Sequence, residues 1–264
     1  MKITIITVCY NSERYIEQTI RSVINQTYKD IEYIIVDGMS TDSTPQIIER
    51  YQPYISKYIR GKDKNMYDAI NKGMAVSTGD YIDILNSDDT LCNEHVIENV
   101  VSQIEKYKDK YEVFYGEEQK YYQYLGITKA RPKMQTTHME LLCSRRLTFM
   151  GHGAVFISRK VYERLGNYDC DNYSASSDFD YFLRVSKIFP SKYIKTLTQT
   201  FRVHEASITS SGRVDAEVEP VLRKNGYYEI NPVIRALYFS WGWFRFWMIN
   251  IIPMMKFYYQ KATK

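Results

Sequence analysis

The sequence predicts an α/β fold: a mainly parallel sheet flanked by helices, followed by a C-terminal aromatic helical extension. Three observations predict it. From residue 2 to about residue 116, short apolar runs alternate with amphipathic stretches, as βα units do when they feed a parallel sheet. The 264 residues are 44% hydrophobic and 25% charged, which suits one large globular domain with a modest extension. Beyond residue 230 the composition changes, and tryptophan, phenylalanine and methionine crowd together.

The elements follow in order. Ile3 to Cys9 is an apolar run of buried-strand length. Ile16, Ile20, Val23 and Ile24 then recur at helical spacing, with Asn11 or Ser12 as the expected cap. Ile31 to Asp37 is the second strand. Thr44-Pro45 opens a helix, because proline at its first turn lacks an N–H that would be unpaired there anyway. Tyr54 to Arg60 reads as a shorter third strand. Met66 to Val76 is a helix, and Tyr81 to Leu85 a strand stopped by Asn86-Ser87-Asp88-Asp89. A helix over 94–107 leads to a strand over 112–116. Residues 117–150 offer Tyr-rich strands and a basic loop in no definite order. A strand over 154–157, a helix over 158–165 and a helix over 178–188 follow.

Residues 233–264 form a helix of unusual composition. Wound at about 100° per residue, Arg235, Gly242, Arg245, Asn250 and Lys256 share a polar arc while aromatics cover the rest. Such a helix can lie in a membrane interface; covering the domain or meeting a second copy are the alternatives. Spanning is disfavoured, because Arg245 falls mid-helix and Pro253 interrupts the run.

Composition narrows the partners. Lys and Arg number 35 against 31 Asp and Glu, an excess too small and too dispersed for a nucleic-acid binder. The 25 tyrosines suit sugar-facing surfaces and membrane interfaces alike. Cys9, Cys92, Cys143 and Cys170 are scattered without metal-ligand spacing, which fits free thiols in a reducing compartment. The N-terminus reads as a buried strand rather than a targeting segment, so the expected location is cytoplasmic.

Ligands of open α/β sheets bind beyond the carboxyl ends of the strands, and here those ends are acidic. Asp37 ends the second strand, and Asp88 and Asp89 follow the fourth. Adjacent carboxylates repel unless a cation neutralises them, and all-oxygen ligands favour Mg²⁺ or Mn²⁺. Standing alone, the pair reads as well as a helix cap beside a solvated acid.

The combination is more specific. The segments ITIITVCYN, VDGMSTDST, NMYDAINKGMAVSTGDYI, LNSDD, SSDFDYFLRV and FRVHEAS occur in that order over roughly residues 1–210. Together the chain resembles the family 2 glycosyltransferases, inverting enzymes of the Rossmann-like glycosyltransferase A fold, of the bacterial surface-polysaccharide type. The resemblance implies a catalytic domain over 1–230, with a nucleotide-binding half over 1–116 and an acceptor half over 117–230, and an extension over 231–264. It implies a nucleotide-diphosphate sugar donor, with a UDP-sugar favoured, and an acceptor hydroxyl on a glycan or polyprenyl-linked glycan. Capsule, O-antigen or exopolysaccharide synthesis at the inner membrane face is the implied setting, with the segment over 233–260 at the membrane surface. A homo-oligomer is left open.

Site residues carry over position by position. Thr7, Tyr10, Asn11, Asp37, Asn71, Asn86, Asp88 and Arg202 are placed at the donor, Asp89 and His204 at the metal, and His152 on the acceptor side. Lys72, Arg131 and Arg145 are weaker candidates for phosphate. Asp178 is the expected catalytic base, on a helix N-terminus whose positive end favours its ionised form. The family writes this motif Glu-Asp, whereas here Ser177 precedes Asp178. Two rival readings are a sugar-nucleotide pyrophosphorylase and a non-catalytic nucleotide-sugar-binding membrane module. The first usually carries a glycine-rich basic loop after its first strand, which CYNSERY lacks.

Overall fold

The computed structural model describes residues 1–131, 133–145, 151–204 and 213–262. Strands β1 (Ile3–Cys9) and β2 (Ile31–Asp37) are buried on both faces, which is why they read as unbroken apolar runs. With β3 (Lys57–Arg60) and β4 (Tyr81–Ile84) they form a parallel block in the order β3-β2-β1-β4. Helices α1 (Ile16–Ile24), α2 (Thr44–Arg50) and α3 (Met66–Val76) connect them. Helix α3 matches its predicted bounds. Gly73 lets it press on β1, since a Cβ there would stand 2.6 Å from Ile6 Cγ2.

The rest of the chain extends the same sheet with mixed directions. After the two-residue β5 (Thr90–Leu91) and α4 (Val96–Tyr107) come β6 (Val113–Tyr122) and β7 (Ile127–Arg131). Then follow α5 (His138–Ser144), β8 (Val155–Ser158), α6 (Arg159–Leu165), α7 (Ser177–Ile188), β9 (Ser191–Val203), α8 (Arg213–Lys224) and α9 (Pro232–Ala262). The nine described strands run β3-β2-β1-β4-β8-β6-β9-β5, with β7 beside β6. Strand β8 is antiparallel to both β4 and β6, and β9 is parallel to β6. This α/β sheet with a parallel half is the expected fold class.

Each face carries its own core. On one side Ile3, Ile5 and Tyr33 meet α1, α2 and α4 through Ile20, Ile48 and Val100. On the other, Ile6, Ile34 and Ile82 meet α3 and α7 through Ile70 and Leu183.

Several expectations are corrected. Neither Asn11 nor Ser12 caps α1, whose N-cap is Tyr15 without a side-chain cap bond. Asn11 instead adopts a left-handed backbone (φ 50°) and accepts from the Thr41 amide at 2.9 Å, tying two loops together. The strand expected from Tyr54 begins at Lys57, after a 3₁₀ turn over Gln52–Tyr54. Strands β5 and β9 and helices α5 and α8 lie where the sequence marks no definite element, and β7 falls in the unordered stretch 117–150. The last helix runs on through Pro253. Two residues of its expected polar arc face the protein: Arg245 is paired with Glu140 and donates to the Gln135 carbonyl at 2.7 Å, while Arg235 lies over the Tyr227 ring. Asn250 and Lys256 have side chains outside the described residues. No described helix is long and apolar enough to cross a membrane.

One core residue is out of place. Asp83, in the middle of β4, is fully buried, and neither oxygen has a hydrogen-bond partner among the described residues. Burial pushes its carboxyl well above the usual range, against a weaker pull from the nearby Ile84 amide. Unfolded, an aspartate titrates near 3.9. Between about 3.9 and the raised folded value, the folded chain holds a proton that the unfolded chain has released, so stability falls as pH rises. Asp83→Asn removes that ionisation and is expected to stabilise the protein at pH 7.5 by about 1–3 kcal/mol. The gain shrinks toward pH 4.5. Thermal melts of both proteins across this range check the prediction; a pH-independent difference contradicts it.

Candidate active site

A cleft of about 1660 Å³ opens at the carboxyl ends of β1 to β4. That volume exceeds the usual space for one small ligand and leaves room for two substrates. Its wall brings together Tyr10, Asn11, Asn86, Asp88, Asp89, His152, Asp178 and His204, residues spread over most of the chain. Phe239, Gly242 and Trp243 of α9 line it as well.

Part of its wall is the acidic loop. Strand β4 stops at Ile84, and the turn that follows closes through the Asp89 amide donating to the Asn86 carbonyl at 3.1 Å. The two aspartates face different surroundings. Asp89 is fully buried: Oδ1 accepts from the Arg202 amide at 2.9 Å, and Oδ2 from Gln199 Nε2 at 2.6 Å and Asn86 Nδ2 at 3.4 Å. Burial, and then the Asp88 charge, push its carboxyl well up. Asp88 is 29% exposed, and its Oδ2 lies 2.9 Å from His204 Nε2. Both of these side chains reach the cleft.

The same cleft is lined by Asp178, in the first turn of α7. Asn65 caps α3 by accepting from the Tyr67 and Asp68 amides, which fixes the first turn of that helix. From there the Tyr67 hydroxyl donates to Asp178 Oδ1 at 2.9 Å. Burial and then the Asp178 charge hold the Tyr67 hydroxyl well above its usual pKa, so it stays a donor. His152 packs against Tyr67, Tyr168 and Phe182, with Nε2 3.3 Å from the Tyr168 hydroxyl. Burial lowers its pKa and favours the neutral ring. The Asp178 carboxylate at a helix N-terminus and the Asp88–His204 pair thus line one cavity.

The sequence model of Glycosyl transferase family 2 matches residues 4–166. The chain belongs to this family. Among relatives, it is 24% identical over 188 residues to the uncharacterized glycosyltransferase Rv1514c of Mycobacterium tuberculosis, covering 70% of this chain and 69% of that protein. It is 28% identical over 166 residues to a PGL/p-HBAD biosynthesis glycosyltransferase of Mycobacterium bovis, covering 62% and 61% respectively. Among solved structures it resembles S. aureus TarS 1-349 in complex with UDP-GlcNAc, with a TM-score of 0.73, 15% identity and coverage of 95% and 74%. It also resembles the mannosyltransferase PcManGT of Pyrobaculum calidifontis in complex with GDP-Man and Mn²⁺, with a TM-score of 0.60, 14% identity and coverage of 99% and 79%. The two structural likenesses establish the glycosyltransferase A fold.

Within this family 2 chain, four residues expected at the donor stand behind the wall instead. Thr7 is fully buried and accepts from the Tyr33 hydroxyl at 3.2 Å. Asp37 is fully buried, accepting from Tyr58, Arg60 and the Ser40 amide, and so it braces the loop after β2. Asn71 makes two hydrogen bonds to the backbone of Tyr168, which anchors the segment below His152. Arg202 straps the acidic loop from outside: it donates to the Asp88 carbonyl at 3.0 Å and lies over the Tyr15 and Tyr121 rings. Of the weaker basic candidates, Lys72 is paired with Asp63 and Asp68, Arg145 lines the cleft, and the Arg131 side chain lies outside the described residues.

Sequence reasoning missed Asp63, Glu118 and Gln199, all on the wall. Asp63 follows the carboxyl end of β3, so the rule that pointed to Asp37 and Asp88 also pointed there. Glu118 and Gln199 sit on β6 and β9, where no spacing marks them. Glu118 forms a buried pair with Lys133, and a Cβ on Gly151 would stand 1.9 Å from its Oε2, so Gly151 is there to make room.

Proposed function

We propose that the protein is an inverting transferase that moves one monosaccharide from a nucleotide-diphosphate sugar to a hydroxyl of a glycan or lipid-linked glycan. The observation that carries this reading is one cleft whose wall holds both the Asp88–His204 pair and Asp178, the latter hydrogen-bonded by Tyr67. Asp178 takes the proton of the acceptor hydroxyl. The acceptor oxygen forms its bond to the anomeric carbon as the bond to the diphosphate breaks, and the electron pair leaves with the nucleoside diphosphate. One displacement inverts the anomeric centre. Tyr67 fixes which Asp178 oxygen is free, and neutral His152 shapes the acceptor side.

A divalent cation, Mn²⁺ or Mg²⁺, fits the diphosphate end. Asp88 and His204 would hold it, because both reach the cleft and such cations need only one or two protein ligands beside substrate phosphates. Asp89, with its oxygens taken up by Gln199, Asn86 and Arg202, is a support for the loop rather than the metal contact first expected. No group of three or more His, Cys, Asp or Glu forms a metal cage among the described residues. When bound, the cation supplies charge to stabilise the departing diphosphate. That PcManGT was solved with GDP-Man and Mn²⁺, and TarS with UDP-GlcNAc, supports this donor class.

We read residues 1–230 as the catalytic domain, 1–116 as its nucleotide half and 117–230 as its acceptor half. The segment from 231 would rest on the membrane's inner face. Its exposed Leu237, Trp241, Trp243 and Phe244 support this, as does its place on the cleft wall, where a lipid-linked acceptor would enter. Assembly of a bacterial surface polysaccharide is the corresponding role. The test is a screen of UDP-, GDP- and dTDP-sugars for thermal stabilisation with and without Mn²⁺. One donor is expected to raise the melting temperature, and more so with Mn²⁺. No stabilisation by any of them under either condition contradicts the proposal.

A further inference from the structure

Helix α7 begins without a cap of its own: Ser176 occupies the N-cap and makes no side-chain cap bond. The amides of the turn before it are nevertheless all met from outside. Glu217 of α8 accepts at Oε1 from the Ser174 amide (2.9 Å) and the Ser174 hydroxyl (2.8 Å). At Oε2 it accepts from the Ala175 amide (2.9 Å) and the Ser176 amide (2.8 Å). The Ser176 hydroxyl donates to the Val214 carbonyl at 3.3 Å, a second tie to the same helix. Four hydrogen bonds to one carboxylate converge on three consecutive residues, and charge-assisted bonds of this kind are among the stronger ones in proteins.

We propose that Glu217 is the positioning residue of Asp178, setting the backbone from which that carboxylate reaches the cleft. The inference rests on the reading of Asp178 as the base. The two constraints on Asp178 are separate. Tyr67 fixes its Oδ1 from α3, and Glu217 fixes the turn two residues upstream. With Glu217 removed, three amides and a hydroxyl lose their acceptor together, and the start of α7 can shift while Tyr67 still holds the side-chain tip. A displacement of about 1 Å at a reacting group costs on the order of 10²-fold in rate. Asp88 and His204 sit on the loop after β4 and at the end of β9, and none of the four hydrogen bonds of Glu217 goes to either element, so donor binding should not feel the change.

The test compares Glu217→Ala, Glu217→Gln and Asp178→Asn in the full chain, reading kcat, donor KM, melting temperature and the response to added formate. Glu217→Ala is expected to lower kcat by about 10- to 100-fold with donor KM unchanged. Formate, a free carboxylate small enough for the vacated nest of amides, should restore part of kcat in Glu217→Ala and none in Asp178→Asn. Unchanged kcat in Glu217→Ala beside a dead Asp178→Asn overturns the inference and leaves the base in place. A parallel loss of kcat and rise of donor KM overturns it in favour of general loosening. An active Asp178→Asn removes the base itself, and with it both readings. If Glu217→Ala fails to fold, Glu217→Gln decides. The amide loses one pair of acceptances, so a lowered kcat at an unchanged melting temperature supports the inference, and a normal kcat overturns it.

Discussion

Asp178→Asn is expected to lower kcat by about 10²–10⁴-fold, the usual worth of a positioned general base. The substitution keeps the shape. Asparagine Oδ1 can still accept from the Tyr67 hydroxyl, which now holds Asp178 at 2.9 Å, and the side chain stays in the first turn of α7. Only the capacity to take a proton is lost. Nucleotide-sugar binding should persist, because the Asp88–His204 pair and the loops after β1 and β3 are untouched. Thermal stabilisation by the donor measures binding, and release of nucleoside diphosphate measures turnover. A non-catalytic binding module predicts that the variant behaves as the wild type. A parallel loss of binding and turnover would instead mark Asp178 as a donor contact.

Asp88→Asn carries the second large effect. It removes the half-buried carboxylate that faces His204 across 2.9 Å, and with it the anionic ligand proposed for the cation. The Mn²⁺ concentration for half activation is expected to rise by at least about tenfold, since losses of that order already follow from changing groups behind a metal's ligands. Adding His204→Ala should cost much less than the two single effects combined, because the two groups act on one ion. Asp89→Asn is the control. Its carboxylate joins Gln199, Asn86 and the Arg202 amide in a buried knot, so its replacement should lower the melting temperature more than it shifts the metal requirement. Titrations of activity against Mn²⁺, with melts of each variant, separate the two aspartates. If Asp89→Asn moved the metal requirement and Asp88→Asn did not, the roles proposed for them would be exchanged.

That distinction also marks where sequence reasoning stops. Asp88 and Asp89 are neighbours of one chemical type, and nothing local says which is buried. The choice is made by Gln199 and Arg202, more than 100 positions away on β9. Asn71 and Asp37 lie in recognisable segments, yet their side chains are engaged by Tyr168 and by Tyr58 and Arg60, partners that only the folded chain brings near. Strands β1 and β2 were legible because burial on both faces leaves an unbroken apolar run, and α3 because its apolar spacing is regular. Strand β9 (SKYIKTLTQTFRV) was not, because its faces are only partly covered and lysine and threonine interrupt the pattern. The convergence of Asp88, His204, His152 and Asp178 on one cleft follows from the family resemblance that the ordered motifs carry. The inward turn of Arg235 and Arg245 on α9 was not, since an amphipathic helix shows two faces without saying which one the protein covers.

The anomeric configuration of the product tests the central claim most directly. With the donor that the nucleotide-sugar screen selects, proton NMR of the transferred sugar reports whether an α-linked donor yields a β-linked product. One displacement, with Asp178 facing the acceptor and the diphosphate leaving from the Asp88–His204 end, predicts inversion. Retention of configuration is incompatible with a single back-side displacement, and would contradict the account.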